Sequence, residues 1–119
     1  MARDIDADIQ TRLPLPPAFL HILIALAEGE RHGYSIMQEV AERTAGRVKM
    51  SPGTLYGSIK RMLADGLIDE LTTGAAGADE RRRFYRITKF GRQVAAAELE
   101  RLTSLLSQAR HSGLVPRRT

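Results

Sequence analysis

Residues 17–28, PAFLHILIALAE, predict a helix with almost no polar face. Proline suits its start because a first turn leaves its N–H groups unpaired, and Gly29 marks its end. The apolar side chains are Phe19, Leu20, Ile22, Leu23, Ile24 and Leu26. A helix that is apolar all round must be buried on every side. The chain has 119 residues, enough for one domain, so its other elements must pack around this helix.

Two further segments before residue 50 have helical spacing. Ile5, Ile9 and Leu13 recur at that spacing and predict a short helix within an N-terminal arm, residues 1–14. GYSIMQEVAERTAG has apolar residues on one side and charged residues on the other, which predicts a second, amphipathic helix. Gly46 stands where a C-terminal cap would.

A third helix, predicted at Pro52–Ala64, has two unlike faces. Ser51 is a good N-cap, and Asp65-Gly66 ends the helix. Its core face holds Leu55, Ile59, Met62 and Leu63, and its opposite face holds Gly53, Thr54, Gly57, Lys60 and Arg61, with Tyr56 and Ser58 on the flanks. Glycine inside a helix costs up to about 1 kcal/mol relative to alanine. Two glycines on one exposed face therefore predict a partner, such as a phosphate backbone or a groove wall, that comes close to this helix.

The rest of the chain predicts a hairpin and one long helix. LIDELTT and RRFYRIT have strand composition, and the glycine-rich loop between them predicts a β-hairpin with a long tip. Thr88 can cap a helix from Lys89 to Arg110. A coiled-coil spacing of four and three relates Ala95, Leu99, Leu102, Leu106 and Ala109, which we expect to form a dimer interface. Residues 111–119 lack periodicity and predict a disordered tail.

The second and third helices have the length of a helix-turn-helix, whose second helix enters the DNA major groove. The chain is basic, with 18 Lys+Arg against 14 Asp+Glu and a pI near 10.0. Arg81 and Arg82 lie at the base of the hairpin tip, where they could reach an adjacent groove or its phosphates. The alternatives are an ordinary surface helix and a solvated charge run that includes Asp79 and Glu80.

Several classes of protein are excluded by what the sequence lacks. Without cysteine there is no disulfide, thiolate nucleophile or sulfur-ligated zinc. No run approaches the roughly 18 apolar residues that span a bilayer, and no targeting segment opens the chain, so we expect a cytoplasmic protein. No catalytic motif or metal-ligand spacing is present, so we expect neither an enzyme nor a bound cofactor or metal.

Three blocks together resemble the PadR family of bacterial transcriptional regulators. They are ILIALAEGERHGYSIMQEV, PGTLYGSIKRMLADGLI and RRRFYRITKFGRQVA, and the similarity covers about Leu15 to Ala97. The resemblance implies a homodimeric winged helix-turn-helix protein that binds a pseudo-palindromic operator in double-stranded DNA, usually as a repressor. The DNA-contacting positions that it implies are Tyr34, Ser51, Gly53, Thr54, Tyr56, Lys60 and the arginines of the wing.

The predicted fold is mainly α with a small β-hairpin. A winged helix-turn-helix domain at 15–88 precedes a dimerisation helix at 89–110, as in the smaller subfamily of PadR proteins. Some of those proteins bind flat aromatic drugs between subunits through tryptophan. This chain has no tryptophan, so the resemblance does not carry that site over, and the effector is left open as an aliphatic ligand or none. The alternative function is a winged-helix module that binds another protein and has no DNA-binding activity.

Overall fold

The computed structural model describes residues 4–71 and 83–116 and confirms a mainly helical chain with a small antiparallel sheet. Its elements are α1 (Ile5–Gln10), α2 (Pro17–Leu26), β1 (Arg31–His32), α3 (Gly33–Arg43), α4 (Pro52–Ala64), β2 (Ile68–Leu71), β3 (Phe84–Ile87) and α5 (Lys89–His111). The short N-terminal helix is present, and α4 has the predicted bounds. The long helix runs one residue beyond the predicted Arg110.

Helix α2 is central, as its apolar composition predicts. It packs against α3, α4, α5 and β3, and its buried side chains include Ile22, Leu23 and Leu26. It ends at Leu26, two residues before the predicted Glu28. Guanidinium groups from elsewhere satisfy carbonyls at this end, because Arg31 Nε donates to the Ala25 carbonyl at 2.8 Å and Arg92 donates to the Ala27 carbonyl at 2.9 Å.

The sheet has three strands in the order β1-β3-β2, one more than the predicted hairpin. Ile68 pairs with Ile87, and Leu71 pairs with Phe84, in the antiparallel register of β2 and β3. The extra strand, β1, is two residues long and pairs Arg31 with Tyr85. A strand of two residues is too short to show a periodic sequence pattern, so it can be identified only by its pairing with β3.

The C-terminal ends of α3, α4 and α5 share one hydrogen-bonding pattern, the Schellman motif. In α4, Gly66 adopts a positive φ of 76° and the Leu67 N–H reaches back to the Met62 carbonyl at 2.9 Å. In α3 the equivalent position is Ala45, with φ 53°, and the Gly46 N–H makes the bond to Ala41 at 2.7 Å. The predicted cap at Gly46 is therefore wrong by one residue.

The start of α5 is fastened to the segment between α4 and β2 by a threonine and a glycine. The Thr88 hydroxyl accepts from the Gly91 N–H at 2.9 Å and donates to the Gly66 carbonyl at 2.6 Å. Gly91 lies so close to the Leu67 carbonyl that a Cβ would overlap it. The segment from Tyr85 to Gly91 thus connects the sheet, the end of α4 and the start of α5.

Helix α1 packs on α5. Arg12, just after α1, pairs with Asp65 at 3.3 Å. A cleft of about 510 Å³ lies between α1, the end of α4 and the start of α5, and Lys89 and Phe90 contribute to its lining.

Candidate nucleic-acid interface

The N-terminus of α4 is capped within the chain. The Ser51 Oγ accepts from the Thr54 N–H at 3.1 Å, and the Ser51 hydroxyl donates to Thr54 Oγ1 at 3.1 Å. Pro52 has no N–H. Among the described residues, this leaves the Gly53 N–H as the backbone donor in the first turn without a partner. The two hydroxyl groups thus stabilise the helix start, and their contact with DNA stays a prediction.

The outer face of α4 is exposed as the helical period predicts. Its members are Gly53, Thr54, Gly57, Lys60 and Arg61, whereas Leu55, Ile59 and Met62 on the other face are buried. A Cβ added at Gly57 would meet no atom within 4 Å, and at Gly53 it would meet only the Ser51 Oγ at 3.9 Å. No described part of this chain therefore requires glycine at these positions. What they provide is an uncovered strip of helix backbone.

Tyr56 has a structural contact that its sequence position does not indicate. Its ring packs against Gly33 at the start of α3, where an added Cβ would come within 2.8 Å of the Tyr56 hydroxyl oxygen. The ring is partly buried, so it helps to set the packing of α3 on α4. Tyr34, the next residue after Gly33, is 50% exposed and lies on the outer surface. The roles of Tyr34 and Tyr56 in DNA contact stay predictions.

The two cations on the predicted DNA face of α4 differ in their surroundings. The Arg61 guanidinium lies 5.3 Å from the centroid of the Phe19 ring, a cation–π distance that holds it toward α2. Lys60 is exposed and has no carboxylate partner in the described part of the chain. Lys60 is thus the freer of the two to contact a phosphate.

The hairpin of β2 and β3, which is the predicted wing, carries charges of both signs. Arg83 pairs with Glu70 at 3.3 Å, and Arg86 pairs with Asp69 across the strands at 3.6 Å. These carboxylates offset the positive charge of the described part of the hairpin. Arg81 and Arg82, the predicted wing contacts, lie outside the described residues.

The turn before α4 contains two cations that were not among the predicted DNA-contacting residues. Arg47 and Lys49 are exposed, whereas Val48 and Met50 between and after them are partly buried against the core. The alternation of basic and apolar residues in RVKM was the available signal, because it places both cations on the solvent side of an extended segment.

The predicted stripe on α5 is largely uncovered. Leu99, Leu102 and Leu106 are 43%, 37% and 40% exposed, and Leu105, which the predicted stripe omits, is 52% exposed. Ala109 is partly buried, and Ala95 is partly buried against the chain's own core. The outer half of α5 thus presents a row of exposed leucines.

Residues 4–71 and 83–116 contain neither a membrane-spanning helix nor a metal-binding cluster. Every helix there is too short or too polar to span a lipid bilayer. Nor does any group of three or more His, Asp or Glu side chains in these ranges have the arrangement that a metal site needs.

Comparison with known proteins places the chain in a family. Residues 22–97 match the model of the transcriptional regulator PadR-like family. The transcriptional regulator Rv3488 of Mycobacterium tuberculosis is 36% identical over 89 residues, which are 72% of this chain and 76% of that protein.

Solved structures share the fold. A transcriptional regulator from Clostridium thermocellum superposes with a TM-score of 0.66 at 24% identity, over 94% of this chain and 96% of that one. Bacillus subtilis PadR, solved in complex with operator DNA, superposes with a TM-score of 0.58 at 26% identity, over 68% of this chain and 45% of that one. The family match covers more than half of the chain, and the sheet, the helix-turn-helix and the long last helix all agree with it. The chain belongs to the PadR-like family of transcriptional regulators.

Proposed function

We propose that this regulator binds a specific DNA sequence through α4, as a homodimer on a pseudo-palindromic operator, and that it acts as a repressor. The observation that carries the proposal is the open glycine face of α4, which no described residue of the chain covers. A duplex is a partner that needs such an approach, since a recognition helix must enter the major groove closely enough for its side chains to reach base edges.

Charge supports the same partner. Lys60 follows the glycines on the exposed face and has no carboxylate partner among the described residues. An operator complex of Bacillus subtilis PadR is also among the structures that this fold resembles. A module that binds only another protein has little use for an open cationic face, so we favour DNA over that alternative.

We base the proposed repressor role on occupancy of the operator. A dimer on a pseudo-palindrome covers two half-sites about one or two helical turns apart, roughly 34 Å per turn. When that operator overlaps a promoter, bound protein excludes the polymerase. A reporter gene placed behind the operator should therefore be expressed more strongly when the regulator is removed, whereas lower expression would make it an activator.

The experiment that tests DNA recognition begins with selection of bound sequences from a random duplex library. Gly57→Glu places bulk and negative charge on the proposed contact face, away from the core, so affinity for the selected duplex should fall more than tenfold in an anisotropy titration. The free energy of unfolding should hold or rise, because glycine is a poor helix former.

Gly29→Glu is the matched control. Gly29 follows α2, and an added Cβ there also meets nothing within 4 Å. This variant has the same net charge as Gly57→Glu but leaves α4 unaltered, so it should bind like the wild type. A folded Gly57→Glu protein with wild-type affinity would show that this face does not contact DNA, and a library that yields no enriched sequence would favour the protein-interaction alternative.

A further inference from the structure

We propose that Arg47 and Lys49, in the turn between α3 and α4, form a clamp on the DNA phosphate backbone that holds α4 in place without reading sequence. The proposal rests on the DNA-binding role inferred above, and it assigns to this turn a task separate from that of the glycine face.

The first observation is how the cations of the chain are partnered. In the described ranges, ion pairs with carboxylates involve Arg12, Arg31, Arg43, Arg83, Arg86 and Arg101. Arg47 and Lys49 have no such partner there, and both are exposed. Two uncompensated positive charges that are separated by one residue attract a polyanion, and the surface around α4 is where the proposed duplex lies.

The second observation is that the backbone of this turn is held firmly. The Thr44 hydroxyl accepts from the Val48 N–H at 3.0 Å and donates to the Val40 carbonyl at 2.9 Å. The Arg47 N–H donates to the Thr44 carbonyl at 3.1 Å. Val48 itself packs against the core. The two cations therefore project from a segment tied to α3, so little backbone entropy is lost when they meet a phosphate.

The third observation is their position relative to α4. Lys49 lies two residues before the cap Ser51, so their Cα atoms are at most about 7.6 Å apart at 3.8 Å per residue. The stem of Lys49 lies near Gly46, where an added Cβ would be 3.8 Å from Lys49 Cε. A phosphate bound here would lie beside the end of α4 that enters the groove.

Contacts to phosphate position a protein on DNA but carry no base information. The clamp should therefore strengthen binding to every duplex by the same factor, and it should account for a definite part of the salt dependence.

The test is a double variant, Arg47→Gln with Lys49→Gln, titrated at several salt concentrations against the selected duplex and against a random-sequence duplex. Each lost phosphate contact lowers the slope of log affinity against log salt by about 0.9, so we expect a fall of about 1.8. Affinity for the two duplexes should fall by equal factors. Glutamine keeps most of each stem, and thermal unfolding will verify that the fold is intact.

Lys89→Gln is the matched control. Lys89 is also exposed and without a carboxylate partner in the described residues, but it lines the cleft beside the far end of α4. That end is roughly 20 Å from Ser51, at 1.5 Å per residue over the 13 residues of α4. Lys89→Gln removes one positive charge, against two in the double variant. It should leave the salt slope unchanged rather than lower it by about 0.9, which separates the clamp from a general effect of net charge.

The outcomes are distinguishable. A double variant with the wild-type salt slope would overturn the clamp and leave the DNA-binding role intact. A change in the ratio of the two affinities would also overturn it, because one of the two residues would then be reading bases. A wild-type protein that binds neither duplex would overturn the clamp together with the proposed function.

Discussion

At the scale of single residues, the conformation of Ala45 is the unexpected one. Its φ of 53° lies in the left-handed region, where the Cβ of an L-residue crowds the following carbonyl oxygen. The same position is Gly66 in α4 and Gly113 in α5, as the Schellman motif normally requires. Helix α3 therefore ends under strain, directly before the turn that carries the proposed clamp.

We expect Ala45→Gly to raise the free energy of unfolding by about 1 kcal/mol, because it removes that steric cost. Gly66→Ala is the reciprocal change at the end of α4, where an added Cβ meets nothing within 4 Å and only the backbone conformation is tested. It should lower stability by a similar amount. Urea denaturation measures both, and equal stability of Ala45→Gly and the wild type would show that the strain is relieved elsewhere.

At the scale of elements, local signals predicted most of what the structure contains. The bounds of α4 follow from Ser51, Pro52 and Asp65-Gly66, all of which act within a few residues of the helix ends. The end of α2 could not be predicted as well, because the guanidiniums that satisfy its last carbonyls come from Arg31 and from Arg92 on α5. Strand β1 likewise exists only through pairing with β3.

The exposed face of α4 could also be predicted from local sequence, whereas the contacts between helices could not. Helical periodicity alone placed Gly53, Gly57 and Lys60 on one exposed face. The contact of Arg61 with Phe19 depends on how α4 packs against α2, which no local pattern encodes.

Glu98 is the buried carboxylate of α5. This carboxylate is 3% exposed and accepts two hydrogen bonds from Arg101, at 2.6 and 3.0 Å. The Arg101 hydrogen bonds lower the pKa of Glu98 below its ordinary value of 4.5, although burial opposes them, and the charge of Arg101 and a hydrogen bond from the Leu15 backbone add to the lowering. The ionised carboxylate is thus the form that the fold prefers.

Because the pKa of Glu98 is lower in the folded chain than in the unfolded one, its contribution to stability is present above about pH 4.5 and is lost as the pH falls through the folded value. Glu98→Gln should be less stable than the wild type at neutral pH, and the difference should shrink as the pH falls below about 4.5. The exposed neighbour Glu100 is the control, since Glu100→Gln makes the same change of charge on α5 outside the Glu98–Arg101 pair. Urea midpoints across this range measure the effect, and a constant difference would contradict it.

At the scale of the whole molecule, the leucines of α5 remain to be accounted for. The buried residues of α5 are Gly91, Val94 and Glu98, all in its first half. Beyond them, Leu99, Leu102 and Leu106 face outward with no covering element in the described chain. A two-fold dimer buries the same patch from both copies, and each fully buried leucine contributes roughly 1.5 to 3 kcal/mol.

Leu102→Glu should therefore convert the proposed dimer to a monomer in sedimentation experiments, and DNA affinity should fall to the weak level of one half-site. Ser104→Glu is the control, since Ser104 is exposed and lies about 200° around the helix from Leu102 at 3.6 residues per turn. It should remain a dimer. A Leu102→Glu protein that still sediments as a dimer would place the interface elsewhere.

The first half of α5 is packed in the core and the second half is free, so a change in the angle of the helix moves its far end. From Glu98 to His111 the free arm is about 20 Å long at 1.5 Å per residue. A tilt of about 10° at Glu98 would displace its far end by roughly 3.5 Å, close to the 3.4 Å rise of one base step. In the proposed dimer both copies can tilt, so small changes in the packing around Glu98 would change the half-site spacing that the two copies can span by about one to two base pairs.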